Sequence, residues 1–190
     1  MEPVTEALMS GINRMSSNFY LRKLQLQDAP LMLEWMHDDS VVHFMGKDFS
    51  RMTLSDCVSF IRSCADESAN VHRAIVSDDD VYLGTVSLKN INHERADTEF
   101  AITLRKVAMG TGASAFAIKA IISYGFFDLG LKSVYWYVSK ENIRAVKFYD
   151  KNGFTRVDSS QIVASLGIEN AEEKYFWYKV SADNREKNES

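Results

Sequence analysis

Hydrophobic positions along the chain change period several times, and each change marks an element. Residues Phe19 to Leu24 alternate and predict a first strand, after which Gln27-Asp28-Ala29-Pro30 opens a helix. Asp28 is placed to accept from the free first-turn amides. Pro30 tolerates an early helical position because the N–H it lacks would be unbonded there anyway. Leu31, Leu33, Trp35 and Met36 form the apolar side of this helix, which ends near Asp38 and Asp39. Thr53 and Asp56 make a capping box for a second helix running through Phe60 and Ile61 towards Ala65.

The period then returns to that of strands. Val71 to Ser77 and Val81 to Ile91 read as a hairpin about the acidic turn Asp78-Asp79-Asp80, and Thr98 to Leu104 follows as a further strand. A loop with Gly110 and Gly112 leads into an apolar helix from Ala113 to Leu129, then into an aromatic and β-branched strand, Ser133 to Val138. A helix from Asn142 to Lys151 stops at Asn152-Gly153, where glycine supplies the left-handed ending. Phe154 to Val157 and Lys174 to Val180 are the last strands. The latter, with Tyr175, Phe176, Trp177 and Tyr178, is expected at an edge that needs cover, and a homodimer is one way to cover it.

This order predicts an α/β (α+β) fold, a mixed central sheet flanked by helices. The strand-loop-helix-strand crossover from Thr98 through the Ala113 helix to Ser133 should be parallel and right-handed. One domain is expected over residues 18–180, with a flexible extension over 1–17 and a flexible tail over 181–190.

Composition narrows the function. The chain has 190 residues, 46% hydrophobic and 25% charged, which fits one folded domain and excludes a low-complexity chain. A net charge of -4 advertises no basic face for nucleic acid. Cys57 and Cys64 fall on one helical face about 10 Å apart, beyond disulfide reach, and no Cys or His stands at ligand spacing beside them, so no metal is expected. His37, His43, His72 and His93 are scattered and read as structural or exposed. Glu2 and Glu6 open a segment unlike a secretory signal, and no apolar run reaches membrane-spanning length, so no membrane partner and a cytoplasmic location are expected.

The chemistry concentrates in LRKVAMGTGASAFA, Leu104 to Ala117, where a strand ends, two glycines stand two apart and small residues begin a helix. Glycines allow close approach to the backbone, and the free amides of the helix start, with the positive end of its dipole, suit a pyrophosphate. No Gly-Lys-Ser/Thr follows, so this is not a nucleotide P-loop. Some thirty residues on, VYWYVSKENIRAVKFYDKNGF joins a strand to a helix with Asn142, Ala145, Phe148 and Tyr149 that closes in Asn152-Gly153-Phe154.

The glycine loop paired with this Asn-x-x-Ala-x-x-x-Tyr-x-x-x-Gly-Phe helix resembles the GNAT superfamily of acyl-CoA N-acyltransferases, over most of the chain. The resemblance implies acetyl-CoA as co-substrate, held along Leu104, Arg105, Lys106, Val107, Gly110, Thr111, Gly112 and Ala113. Backbone amides would grip the pyrophosphate, and Arg105 and Lys106 are the nearest cations for the phosphates. Val107 stands where the family has Gln or Arg. Asn142 and Ala145 match the positions beside the pantetheine arm, and Tyr149 the phenol that protonates the departing thiolate.

An ammonium has no lone pair for attack, so a base is needed. Glu99, on the strand entering the loop, is the candidate; Phe100 and Ile102 beside it predict a largely apolar setting, although Glu99 shares its own strand face with Ala101 and Thr103. The acceptor implied by the resemblance is a primary amine of a small molecule, nucleotide-linked amino sugars included. N-terminal acetylation of a protein, as in the ribosomal-protein acetyltransferases, and a non-catalytic acyl-CoA-binding module are the alternatives. Trp35, Met36, His43, Phe44 and Met45 fall where the family roofs its acceptor site.

Overall fold

Every stretch with strand period forms a strand. The structure, a computed structural model, describes residues 19–159, 162 and 171–182. β1 (Phe19–Lys23) leads through a single 3-10 turn, Leu26–Asp28, to α1 (Ala29–Met36), α2 (Asp39–Val42) and α3 (Leu54–Ser63). β2 (Val71–Ser77), β3 (Tyr82–Asn92) and β4 (Asp97–Leu104) follow, then α4 (Ala113–Phe127), β5 (Ser133–Ser139), α5 (Ile143–Lys151), β6 (Arg156–Val157), α6 (Ala171–Lys174) and β7 (Tyr175–Ser181). Among the described residues the sheet has seven strands in the order β1-β2-β3-β4-β5-β7-β6, and only β4 and β5 pair in parallel.

Alternation along the strands divides the core between two faces. Val86, Leu88, Phe100, Leu104, Val134 and Trp136 pack beneath α4 and α5. On the opposite face Ala74, Val76 and Tyr82 meet Met32, Trp35 and Met36 of α1 and Cys57 and Ile61 of α3. Tyr135 and Trp177 with Ile162 form a third cluster, on that second face but at the other end of the sheet. β4 therefore runs between two covered regions on the second face.

The structure corrects several local expectations. Asp28 does not cap α1, because the 3-10 turn gives it helical backbone angles and turns its carboxylate back. It instead accepts from Arg22 Nη1 and Nη2, each at 2.8 Å, and from the Gln25 amide at 2.8 Å. The buried face of α1 is Ala29, Met32, Trp35 and Met36, with Leu31 and Leu33 only half-buried. The Thr53–Asp56 capping box forms as expected. Both cysteines are free, and burial with nearby Glu67 pushes the Cys64 thiol up to about 11.

β7 is not an edge strand. It lies between β5 and β6, and Arg156 and Val157 cover Tyr178 and Trp177. A two-residue strand leaves no period to read in a sequence, so its covering role was not visible. Ser181 ends β7 and the Ala182 amide bonds to the Lys132 carbonyl at 3.0 Å, so the sheet extends two residues into the expected tail. Residues 1–17 and 183–190 lie outside the described residues. No helix among the described residues is long and apolar enough to cross a membrane.

Candidate active site

Parallel pairing between β4 and β5 covers three residue pairs, Asp97–Ser133, Thr98–Val134 and Glu99–Tyr135. Beyond them β4 continues to Leu104 against β3, and β5 to Ser139 against β7. The two strands part, leaving a seam whose walls carry backbone N–H and C=O groups with no ladder partner across it. Such groups demand hydrogen bonds, and an amide-bearing chain laid in the seam would supply them.

The glycine loop closes one end of the seam. Arg105 donates its amide to the Leu83 carbonyl at 2.8 Å, and a 3-10 turn over Lys106–Ala108 leads to Gly110 and Gly112. Their φ angles, +83° and +98°, lie in the left-handed region that favours glycine. Gly112 is the N-cap of α4, a helix of fifteen residues, so the first-turn amides and the positive dipole end meet at the loop. The Thr111 hydroxyl donates to the Ala108 carbonyl at 2.7 Å and holds the turn.

Side chains divide the loop residues further. Leu104 and Ala113 are buried in the core, so only their backbone can serve a ligand. Val107 is 66% exposed and takes no part in the core. Arg105 is committed elsewhere: it donates to both Glu34 oxygens at 3.0 and 2.9 Å and to the Tyr82 carbonyl at 3.0 Å, tying α1 to the end of β4. Lys106 remains exposed. Sequence reasoning missed Arg144, whose Nη1 lies 2.7 Å from the Met109 sulfur and brings a cation from α5 to the loop. An exposed arginine at the second position of a helix carries no signal of that approach.

α5 starts where Asn142 accepts from the Ala145 amide at 3.1 Å, so both residues belong to the helix cap that orients α5 against the sheet. About two turns beyond Asn142, Tyr149 is buried among Trp136, Phe148, Phe154 and Tyr178, with ring centroids 5.1 to 6.0 Å away. Its hydroxyl has no hydrogen-bond partner among the described residues. Burial pushes its pKa well above the ordinary phenol range, so it stays protonated at any working pH.

Glu99 lies on the opposite face of the sheet from Tyr149. Its side chain is not in the apolar setting expected, because register places Lys89 of β3 directly across from it. Lys89 Nζ stands 2.7 Å from one carboxylate oxygen, and Asn90 Nδ2 donates to the other at 3.1 Å. Along the same face, Thr85, Ser87, Ala101 and Thr103 make a floor of small side chains. His72 Nδ1 lies 2.7 Å from Ser87 Oγ; burial, with Lys89 and Arg73 close by, lowers its pKa and keeps the imidazole neutral. Tyr135 and Tyr137 border this floor from β5, and the buried Tyr135 hydroxyl, pushed up to about 12 mainly by burial, has no partner among the described residues.

Trp35 and Met36 do not roof the site: the Trp35 indole donates to Tyr82 inside the core, and Met36 packs on Cys57. His43 and Phe44 are exposed, edge to face at 4.6 Å, and Met45 is half-buried. Among the described residues no group of three His, Cys, Asp or Glu side chains is close enough to hold a metal ion.

The arrangement puts an anion-binding loop at the end of a seam, with a protonated phenol on one side of the sheet and a carboxylate on the other. Comparison with known proteins identifies the family. The profile of the acetyltransferase (GNAT) domain family matches residues 18–155. A spermidine N(1)-acetyltransferase of Escherichia coli strain K12 is 37% identical over 137 residues, 71% of this chain and 72% of the relative. Acetyltransferase PseH of Campylobacter jejuni is 23% identical over 139 residues, 73% of this chain and 84% of that protein. The crystal structure of a Vibrio cholerae spermidine N-acetyltransferase with CoA and spermine superposes with a TM-score of 0.74 at 19% identity, covering 88% of this chain and 98% of the other. This chain belongs to the GNAT acetyltransferase family. It is an N-acetyltransferase that uses acetyl-CoA, which sets aside the non-catalytic alternative.

Proposed function

We propose that the chain transfers acetyl from acetyl-CoA to the primary amine of a small molecule of the amino-sugar kind, a single amine on a polar, hydroxyl-bearing body. Acetyl-CoA lies with its pyrophosphate on the amides of the glycine loop around Gly110 to Ala113 and its pantetheine arm in the β4–β5 seam, with Asn142 and Ala145 beside it. Lys106 and Arg144 face the phosphates, while Arg105 supports the loop through Glu34.

The amine enters on the face of Glu99, over the floor of Ser87 and Ala101. Glu99 takes up the ammonium and its proton, directly or through water, and the freed lone pair attacks the thioester carbonyl. Tyr149, on the far side of the seam, donates to sulfur as negative charge builds there. The same burial that keeps this phenol protonated also makes its proton harder to release, so it acts on the thiolate by hydrogen bonding, an interaction that strengthens because negative charge builds on sulfur.

The observation that carries the acceptor class is the lining of the Glu99 face. Its buried carboxylate is already balanced by Lys89, and Asn90, Ser87, Tyr135 and Tyr137 offer hydroxyl, amide and aromatic contacts rather than spare negative charge. A polyamine acceptor is the second reading, favoured by the 37% identity to a spermidine N(1)-acetyltransferase. Self-association is part of the proposal, supported by a Vibrio cholerae spermidine N-acetyltransferase described as dodecameric.

The test is CoA release from acetyl-CoA across a panel of amino sugars, nucleotide-linked amino sugars, spermidine, spermine and peptides with free N-termini. The expected result is the highest kcat/KM with an amino-sugar acceptor. A preference for spermidine or spermine would replace this reading with the polyamine one, and a preference for peptides would overturn both.

A further inference from the structure

Glu99 is 8% exposed, and a carboxylate so deep in a fold is costly unless a cation pairs with it. Lys89 supplies that cation at 2.7 Å, yet the two side chains are not equally held: that of Lys89 is 35% exposed and that of Glu99 11%. The lysine can swing into water at little cost, whereas the carboxylate cannot follow.

We propose that Lys89 is a specificity-determining residue for the acceptor, its ammonium occupying on Glu99 the place that the acceptor's ammonium takes. An acceptor with one amine replaces Lys89 charge for charge. A polycation is disfavoured, because the displaced Lys89 ammonium, tethered to β3, repels its further charges, and among the described residues the other acid on this face, Asp97, two residues before Glu99 on β4, is already paired with Arg95. Asn90 from β3 is neutral, Tyr135 and Tyr137 from β5 are phenols, and His72 from β2, which faces Lys89, is held neutral by burial. Arg73, also on β2, is paired with Glu67 and stacks on Tyr124. Lys89 thus discriminates by charge count, and does so before any chemistry occurs. This inference rests on the reading of the Glu99 face as the acceptor side.

The test compares wild type with Lys89→Met, Lys89→Gln and Lys89→Arg, measuring kcat/KM for a one-amine amino sugar and for spermidine at saturating acetyl-CoA. Removing the charge leaves Glu99 uncompensated, so Lys89→Met should raise kcat/KM for spermidine about tenfold, chiefly through KM, and raise that for the one-amine acceptor about twofold. Lys89→Arg should behave as wild type, and the KM for acetyl-CoA should stay put in all three. Lys89→Gln retains a hydrogen-bond donor to the carboxylate and gives the same ordering should the Met variant melt early. Unchanged spermidine kinetics in both neutral variants, or an equal gain for both acceptors, would overturn the proposal. The acceptor reading fails separately, on the absolute preference of the wild-type enzyme, whereas the role of Lys89 is read from the ratio between variant and wild type.

Discussion

Tyr149→Phe should lower kcat by about 100-fold while the KM for acetyl-CoA changes by about twofold or less. The substitution removes one oxygen from a ring whose contacts with Trp136, Phe154 and Tyr178 are made by its faces and edges, so the packing around it persists. The hydroxyl bonds to no described residue, and its loss should therefore leave the melting temperature nearly unchanged. What disappears is the hydrogen bond offered to sulfur as the carbon–sulfur bond breaks, an interaction made in the transition state and scarcely in the ground state. Steady-state kinetics with thiol detection of CoA, beside a thermal melt, check this. A variant that turns over like wild type would remove Tyr149 from the mechanism. A variant that melts far lower would assign the hydroxyl to the core.

Gly84→Ala should destabilise the fold by about 3 kcal/mol, measured by chemical denaturation. Gly84 sits on β3 opposite Leu104, the last residue of β4 before the glycine loop. A Cβ there would lie 2.2 Å from the Thr103 carbonyl oxygen and 2.9 Å from the Leu104 Cα, both backbone atoms that cannot step aside without moving the strand. The displaced strand end is the one that carries Arg105 and leads to Gly110, so the KM for acetyl-CoA should rise together with the loss of stability. A Gly84→Ala protein with wild-type stability and affinity would mean that β4 does not set the position of the loop.

The two substitutions probe features of different legibility. The motif positions are legible because they sit in local patterns: a helix repeat places Asn142, Ala145 and Tyr149, whose roles the family resemblance implies, and a strand-to-helix junction exposes amides at Gly110 and Gly112. Glu99 is a candidate because it lies on the strand that enters the loop, where the resembled family often places a base. Its neighbours are not legible, because Lys89 and Asn90 reach it across a strand pairing whose register no local pattern records. Arg105 illustrates the converse. Adjacent to the loop in sequence, it read as a phosphate cation, but a carboxylate 71 residues earlier captures it. Arg144 likewise arrives from a distant helix. The covering of β7 by β6 was hidden because two residues have no period.

The parting of β4 and β5 also could not be read. Both strands continue past Glu99 and Tyr135 with ordinary strand residues, and what ends their pairing is the different course each takes, β4 with β3 and β5 with β7. Hydrophobic pattern specifies that strands exist. The seam between them arises from the twist and packing of the whole sheet.

Calorimetric titration of the protein with acetyl-CoA, with dephospho-CoA and free pantetheine as comparison ligands, tests the central claim that the glycine loop and the β4–β5 seam form one cofactor site. The account predicts a dissociation constant on the order of micromolar for acetyl-CoA. Binding should weaken for dephospho-CoA, which lacks the 3′-phosphate, and weaken much further for pantetheine, which lacks the pyrophosphate. Equal binding of acetyl-CoA and pantetheine, or no heat with acetyl-CoA at millimolar concentration, would contradict it.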